Sequence, residues 1–213
     1  MEIRWIEIAD SPEVWADAGF IVDGDRCVVN GVEHRLVGPI DGVGHGDGVV
    51  AWGVSGVDEA VTDIGGIPTR ATTMDPPDGP DEHPNGVFRI DHLVITVTDT
   101  PAMMSALEDH GLESRGGRNT TSSGAGVDMR FAWAGNTLLE VAGPPEPAAQ
   151  PAPARVGGVA YATRDLDGAK ALLGDRCTDP VDAVQPGRRI AALTRAAGST
   201  VPVAFMTPHV KAR

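Results

Sequence analysis

The sequence predicts an α+β fold built from tandem βαβββ modules. Residues 87–143 show a complete β-α-β-β-β succession of patterns, and residues 156–208 repeat that succession. Two proline-rich segments without periodicity, 74–86 and 144–155, read as linkers. The remaining segment, 1–73, then forms a diverged N-terminal region.

The first complete module has well-marked elements. The segment "HLVITV" is β-branched and alternating, which predicts a strand. Thr100 as N-cap, Pro101 at the first helical position and Gly111 just past the end predict the helix. A short strand, "LESRGG", follows, and a hairpin turning at Gly135-Asn136 closes the module.

The second complete module repeats this order in weaker form. It begins with the strand "GGVAYAT", and a short helix is capped by Asp165 and stopped by Gly174. A poor strand, "RCTDP", precedes a hairpin formed by "GRRIAALTRAAGS" and "VPVAFMTP". Residues 1–73 predict one further βαβββ unit, followed by a truncated β-α-β unit in "GVVAWGVSGVDEAVTDIGGIPTRATT".

Composition excludes several classes of protein. A net charge of −13 and a pI near 4.7 argue against nucleic-acid and anionic-membrane partners. Cys27 and Cys177 are not in a CxxC pair, so neither a zinc ribbon nor a disulfide framework is expected. The first ten residues lack a basic, apolar signal sequence, and no segment approaches the ~18–20 apolar residues of a membrane span. We therefore expect a cytoplasmic protein.

A tandem module with "DHLVITV" entering a helix and "LLEVAGP" closing the unit resembles the vicinal oxygen chelate superfamily. That superfamily includes glyoxalase I, extradiol dioxygenases, fosfomycin-resistance enzymes and bleomycin-binding proteins. The resemblance covers both complete modules and, more distantly, residues 1–73. It implies that paired modules form a curved mixed sheet around a cup, and it is compatible with a homodimer. In metal-dependent members, histidine on the first strand and glutamate on the last strand bind the metal.

His92 and Glu140 match those two positions and are the candidate metal ligands and catalytic residues. Side chains alternate along a strand, so His92 shares a face with Val94 and Thr96. One imidazole and one carboxylate would suit Zn²⁺, Ni²⁺, Mn²⁺, Co²⁺ or Fe²⁺. The pair could also act as an acid-base pair without metal.

The other ligand positions that the resemblance implies hold no donor that matches the pattern. The second module has Gly158 and Ala204 there, and the N-terminal unit has Ile3 and Arg35. Catalytic metal sites usually have at least three protein ligands, so His92 and Glu140 form at most half of a site.

Two functions of different classes remain open. The first is a small-molecule binder with an apolar cup and an incomplete metal site, similar to the bleomycin-resistance branch. The second is a divalent-metal-dependent lyase, isomerase or dioxygenase that uses His92 and Glu140. A degenerate scaffold for protein association is a third reading, because fold does not fix function. The candidate substrate-binding residues are Thr96, Arg130, Trp133, Ala160 and Met206.

Overall fold

The structure is a computed structural model that describes residues 1–120 and 126–209. The N-terminal region contains short strands and one short helix: β1 (Glu2–Ile8), α1 (Pro12–Asp17), β2 (Arg26–Val29), β3 (Val32–Leu36), β4 (Val49–Ser55), β5 (Asp63–Ile64) and β6 (Ile67–Ala71). Strand β1 runs parallel to β3, which pairs antiparallel with β2. Strand β4 runs parallel to β6, which pairs antiparallel with β5. Antiparallel pairing of β1 with β4 joins the two units.

The two complete modules have the same internal topology. The elements of the first are β7 (Val87–Thr96), α2 (Thr100–Glu108), β8 (Ser114–Thr120), β9 (Val127–Ala134) and β10 (Thr137–Gly143). Those of the second are β11 (Arg155–Thr163), α3 (Leu166–Leu173), β12 (Val181–Asp182), β13 (Arg189–Ala192) and β14 (Val203–Met206). In each, the first strand is parallel to the last, and the other strands follow antiparallel.

Antiparallel pairing of β7 with β11 joins the two modules, and one strand contact, Val156 with Val49, joins them to the N-terminal strands. The strands of the described residues thus form one mixed sheet with helices attached, and the predicted α+β class is confirmed. Within residues 1–120 and 126–209, every helix is too short or too polar to cross a membrane.

An aromatic cluster packs the N-terminal region against the second module. Trp15 and Phe20 lie 6.3 Å and 5.1 Å from the Tyr161 ring of β11, measured between ring centroids. His34 of β3 is fully buried beside them, and its Nε2 lies 2.7 Å from the Tyr161 hydroxyl. The buried core is therefore shared between these two parts of the chain.

The buried carboxylate of Asp10 forms a second link between the same two parts. It accepts hydrogen bonds from the Trp15 indole, the Ser199 hydroxyl, and both the backbone N–H and the hydroxyl of Thr200. These four donors satisfy a buried charge that would otherwise be costly to remove from water.

Several local predictions were wrong. The helix expected after β4 does not form, and residues 56–62 make turns in which the Asp58 carboxylate accepts from the Ala60 N–H. Local side-chain bonds of this kind compete with helix formation. The cap of α2 is Asp99 and not Thr100, because the Asp99 carboxylate accepts from the Ala102 N–H at 2.9 Å. Strand β8 also extends to Thr120, well beyond the predicted "LESRGG".

Candidate functional site

A cavity of about 380 Å³ lies against the second complete module. Small or apolar residues of β11, β13, β14 and their flanks form most of its wall, and one histidine comes from β7 and another from the loop before β4. We call this space the cup cavity; its lining residues are His45, His92, Val94, Gly157, Gly158, Val159, Ala160, Ile190, Ala192, Leu193, Pro202, Val203 and Ala204.

Small side chains on β11 and β14 create the volume. Ala160 pairs with Ala204 across the two strands, so neither position fills the space above the sheet. A Cβ atom at Gly158 would lie 3.0 Å from the Pro202 carbonyl oxygen, which explains why a larger residue would disturb this wall. Gly158, Ala160 and Ala204 therefore form a small apolar wall in the second module.

His92 enters the cup cavity from a β-bulge. Strand β11 pairs Ala160 with His92 and Tyr161 with Ile90, so Asp91 is an extra residue in β7. Ile90 and Leu93 accordingly both lie in the hydrophobic core although they are three positions apart. Bulges re-aim side chains and are common next to functional sites. Here the bulge brings Asp91 and His92, which are adjacent in sequence, into contact.

Asp91 binds His92 directly and is itself held by a buried arginine. The Nδ1 atom of His92 lies 3.0 Å from Oδ2 of Asp91. Arg188, immediately before β13, forms a bidentate pair with the same carboxylate at 2.8 Å and 3.1 Å. All three residues are more than nine-tenths buried.

The ionisation of Asp91 follows from these contacts. Burial by itself would raise the pKa of the carboxyl, but the hydrogen bonds from His92 and Arg188 outweigh it and hold the pKa well below its ordinary value. Arg188 is fixed in turn, because its Nε donates to the Thr207 carbonyl at 2.7 Å and a terminal nitrogen lies 3.1 Å from His209.

Glu140 lies on the same face of the sheet as His92 but not beside it. Leu138 is the residue opposite His92, and Glu140 pairs with Val94 on one side and Phe131 on the other. One strand spacing and two residues of rise place the Cα atoms of His92 and Glu140 roughly 8 Å apart. Glu140 is 9% exposed and makes no hydrogen bond to another described residue. The carboxylate that orients His92 is therefore Asp91.

The residues present do not fit a complete divalent-metal centre. Within residues 1–120 and 126–209, no group of three or more His, Cys, Asp or Glu side chains is arranged to hold a metal ion. In the first module, Glu140 is opposite Val94, which lies two residues after His92. In the second module, Ala204 is opposite Ala160, which lies two residues after Gly158. Gly158 and Ala204 therefore occupy the positions that correspond to His92 and Glu140. Neither of them has a donor side chain.

The N-terminal unit needs a correction. If Ile3 corresponds to His92, the register of β1 and β3 places Glu33 opposite Trp5, and Glu33 rather than Arg35 then corresponds to Glu140. Glu33 is buried and accepts from Arg26 and Arg35 at 3.0 Å and 3.2 Å. Its carboxylate is thus occupied by two arginines.

The candidate substrate-binding residues fall in different places. Ala160 lines the cup cavity, whereas Met206 is buried and lies outside its lining. Thr96 lies on the same face as Val94 but is not among the residues that line the cup cavity. Its hydroxyl packs against Gly157, where a Cβ atom would clash with it. Trp133 pairs with Leu138, is 46% exposed, and is not among the residues that line the cup cavity.

Arg130 lies away from the cup face. It pairs with Val141, a core residue, and its guanidinium binds the Asp128 carboxylate at 3.0 Å. A side chain on this face cannot reach a ligand in the cup cavity without rebuilding the strand.

Sequence reasoning missed Asp91, Arg188 and His45. Asp91 stands directly before His92 in "RIDHLV", and strict alternation would place it on the opposite face. Arg188 is 97 positions away along the chain. His45 lies in the glycine-rich loop before β4, and its Nδ1 lies 3.1 Å from the Ser199 carbonyl oxygen.

The paired modules settle the architecture. Two βαβββ units, each with parallel outer pairing, meet through antiparallel first strands and leave a cavity on one face of the sheet. The chain has an α+β fold in which two βαβββ modules share one mixed sheet. This confirms the architecture that the resemblance implied.

Comparison with known proteins adds matches only among solved structures. No protein-family model matches the sequence, and no curated protein matches it significantly. Methylmalonyl-CoA epimerase from Mycobacterium tuberculosis matches at 15% identity over 59% of this chain and 91% of its own, with a TM-score of 0.47. The Streptomyces coelicolor epimerase in complex with 2-nitronate-propionyl-CoA matches at 21% identity over 58% and 99%, with a TM-score of 0.46. A hypothetical protein from Bacillus halodurans matches at 16% identity over 59% and 97%, with a TM-score of 0.46. At these values no activity is transferred to this chain.

Proposed function

We propose that this protein binds a small, mainly apolar molecule in the cup cavity. The observation that supports this most directly is a cavity of about 380 Å³ whose wall is made of Gly, Ala, Val, Ile, Leu and Pro residues with two histidines. Small-molecule sites are typically concave and apolar, with a few polar groups that fix orientation. His92 and His45 are the polar groups here.

The lining also limits the charge of the ligand. No lysine or arginine is among the described residues that line the cup cavity, and the chain has a net charge of −13. A ligand bearing several phosphates would therefore find no cationic partner and an unfavourable field. The acyl-CoA ligand of the Streptomyces coelicolor epimerase is for this reason not our proposal for this chain.

Filling the cavity tests the proposal. Ala204→Leu places an isobutyl group where the structure has open space, so we expect it to abolish binding of apolar probes that raise the melting temperature of the wild type. Ala171→Leu, on the exposed face of α3, is the matched control and should leave binding unchanged. Unchanged binding in folded Ala204→Leu would place the ligand elsewhere.

A specific contact favours a second candidate, acid-base catalysis by His92. A carboxylate that holds an imidazole in one orientation is a common arrangement for a general base, and Asp91 holds His92 in this way. The chemistry that such a base supports is proton abstraction, and carbon acids next to a carbonyl group are simple test substrates for it. Incorporation of solvent deuterium into a panel of apolar ketones and thioesters, monitored by NMR, tests this, with His92→Gln as the inactive comparison.

A further inference from the structure

The contacts of Nδ1 determine which ring nitrogen carries the hydrogen in each of the two histidines that line the cup cavity. Nδ1 of His92 faces the Asp91 carboxylate, and Nδ1 of His45 faces the Ser199 carbonyl oxygen. A carbonyl oxygen can only accept a hydrogen bond, and so can an ionised carboxylate. In both rings Nδ1 must therefore carry the hydrogen.

A neutral imidazole has one donor and one acceptor nitrogen, so Nε2 is then an unprotonated acceptor in both residues. Neither Nε2 has a hydrogen-bond partner among the described residues, and neither is among the fully buried unpartnered atoms. Both rings line the cup cavity. Two of the residues that line the cavity thus each carry an acceptor nitrogen that has no partner among the described residues.

The ion pair between Arg188 and Asp91 fixes the tautomer of His92. Arg188 is 2% exposed and binds both oxygens of Asp91, which keeps the carboxylate ionised and oriented. Arg89 also lies 3.3 Å from Oδ1 of Asp91. In the other tautomer, Nδ1 of His92 would carry no hydrogen, and its lone pair would face the buried, ionised carboxylate of Asp91. That tautomer is therefore disfavoured.

From this we propose that the cup cavity selects neutral apolar molecules that carry an O–H or N–H donor over equally apolar molecules that carry only acceptors. Asp91, held by Arg188, is the positioning residue for this selectivity, because it sets which nitrogen of His92 the ligand meets. The inference rests on the proposed binding function and narrows its ligand class to hydrogen-bond donors such as phenols, alcohols and amides.

A matched pair of probes tests the selectivity at pH 8. We expect 2-naphthol to bind the wild type about fivefold more tightly than its methyl ether, 2-methoxynaphthalene, because one hydrogen bond is worth about 1 kcal/mol. A variant that carries both His92→Phe and His45→Phe should bind the two probes with little preference, because it lacks both acceptors. Equal affinity of the two probes for the wild type would overturn the selectivity, and failure of both to bind would instead count against the cavity as a binding site.

A spectroscopic measurement decides the role of Asp91 separately from any ligand. Long-range ¹⁵N–¹H correlation spectra of uniformly labelled protein report the tautomer of each histidine, and His92→Gln assigns the signal. The wild type should show Nδ1–H and a bare Nε2 for His92, whereas Asp91→Asn should show a mixture. A protonated Nε2 in the neutral ring of the wild type would overturn the assignment.

Asp91→Asn leaves the buried guanidinium of Arg188 without a negatively charged partner, which could destabilise the fold. A second variant therefore removes both charges. The double variant Asp91→Asn with Arg188→Met removes the buried charge together with its counter-ion, which is better tolerated than removing one partner. We expect the same tautomer mixture in the double variant, together with a smaller preference for 2-naphthol than the wild type shows. A folded double variant that keeps a pure Nδ1–H tautomer would show that Asp91 does not position the ring.

Discussion

Replacing His34 by glutamine should remove a large part of the acid sensitivity of this protein. His34 is completely buried, and burial lowers its pKa from 6.5 to about 3. Its Nδ1 lies 3.2 Å from the Val32 carbonyl oxygen, so Nδ1–H donates there and Nε2 accepts from the Tyr161 hydroxyl. The native state therefore holds the ring neutral.

The sign and size of the effect follow from proton linkage. The unfolded chain binds a proton near pH 6.5 and the folded chain only near pH 3, so His34 contributes stability above pH 6.5 that is lost as the pH falls. The loss is about 1.4 kcal/mol per pH unit within this window, which amounts to about 2 kcal/mol between pH 7 and pH 5.

Urea unfolding monitored by tryptophan fluorescence at both pH values measures this difference. Glutamine can keep a polar contact with the Tyr161 hydroxyl but does not titrate. His83 is present in both proteins, so its contribution to the pH dependence of the free energy of unfolding cancels to first order in the comparison. We expect the free energy of unfolding of the wild type to fall by about 2 kcal/mol more than that of His34→Gln. An equal fall in the two proteins would refute the assignment of a buried neutral imidazole at His34.

Three further outcomes are expected. Asp10→Ala should lower the free energy of unfolding by about 3 kcal/mol, because it leaves buried donors of the second module unpaired, and urea titration against Asp25→Ala on the exposed surface measures this. Asp99→Ala should cost about 1 kcal/mol by removing the cap of α2, while Thr100→Ala should cost less if Asp99 is the true cap. Purified protein loaded with Zn²⁺, Mn²⁺, Ni²⁺ and Fe²⁺ should retain no metal near one equivalent by plasma mass spectrometry. Stoichiometric metal that is lost in both His92→Ala and Glu140→Ala would reinstate the metal-dependent alternative.

Local patterns were sufficient for the elements that obey simple periodicity. Alternation in "HLVITV" and the Gly-Asn turn at Gly135 predicted β7 and the β9–β10 hairpin. The same reasoning failed at residues 56–62, where apolar residues suggested a helix but the Asp58 side chain closes a turn. Short segments of this kind are decided by a few local hydrogen bonds that composition does not reveal.

The candidate site was predicted only in outline. Strand alternation correctly put His92 and Glu140 on one face, but pairing register decides which residues are opposite, and it places Leu138 beside His92. The bulge at Asp91 breaks alternation at the very position that orients His92. A single extra residue in one strand leaves no signature in the sequence around it.

The sequence by itself determined the repeated βαβββ order, the small side chains at Ala160 and Ala204, and the absence of donors at the Gly158 and Ala204 positions. These properties depend on periodicity and residue identity, which are local. Only the tertiary structure decided that Arg188 would neutralise Asp91 and that Asp91, rather than Glu140, would hold His92. Such contacts depend on strand register, a bulge and chain closure over 97 positions, none of which local interactions fix.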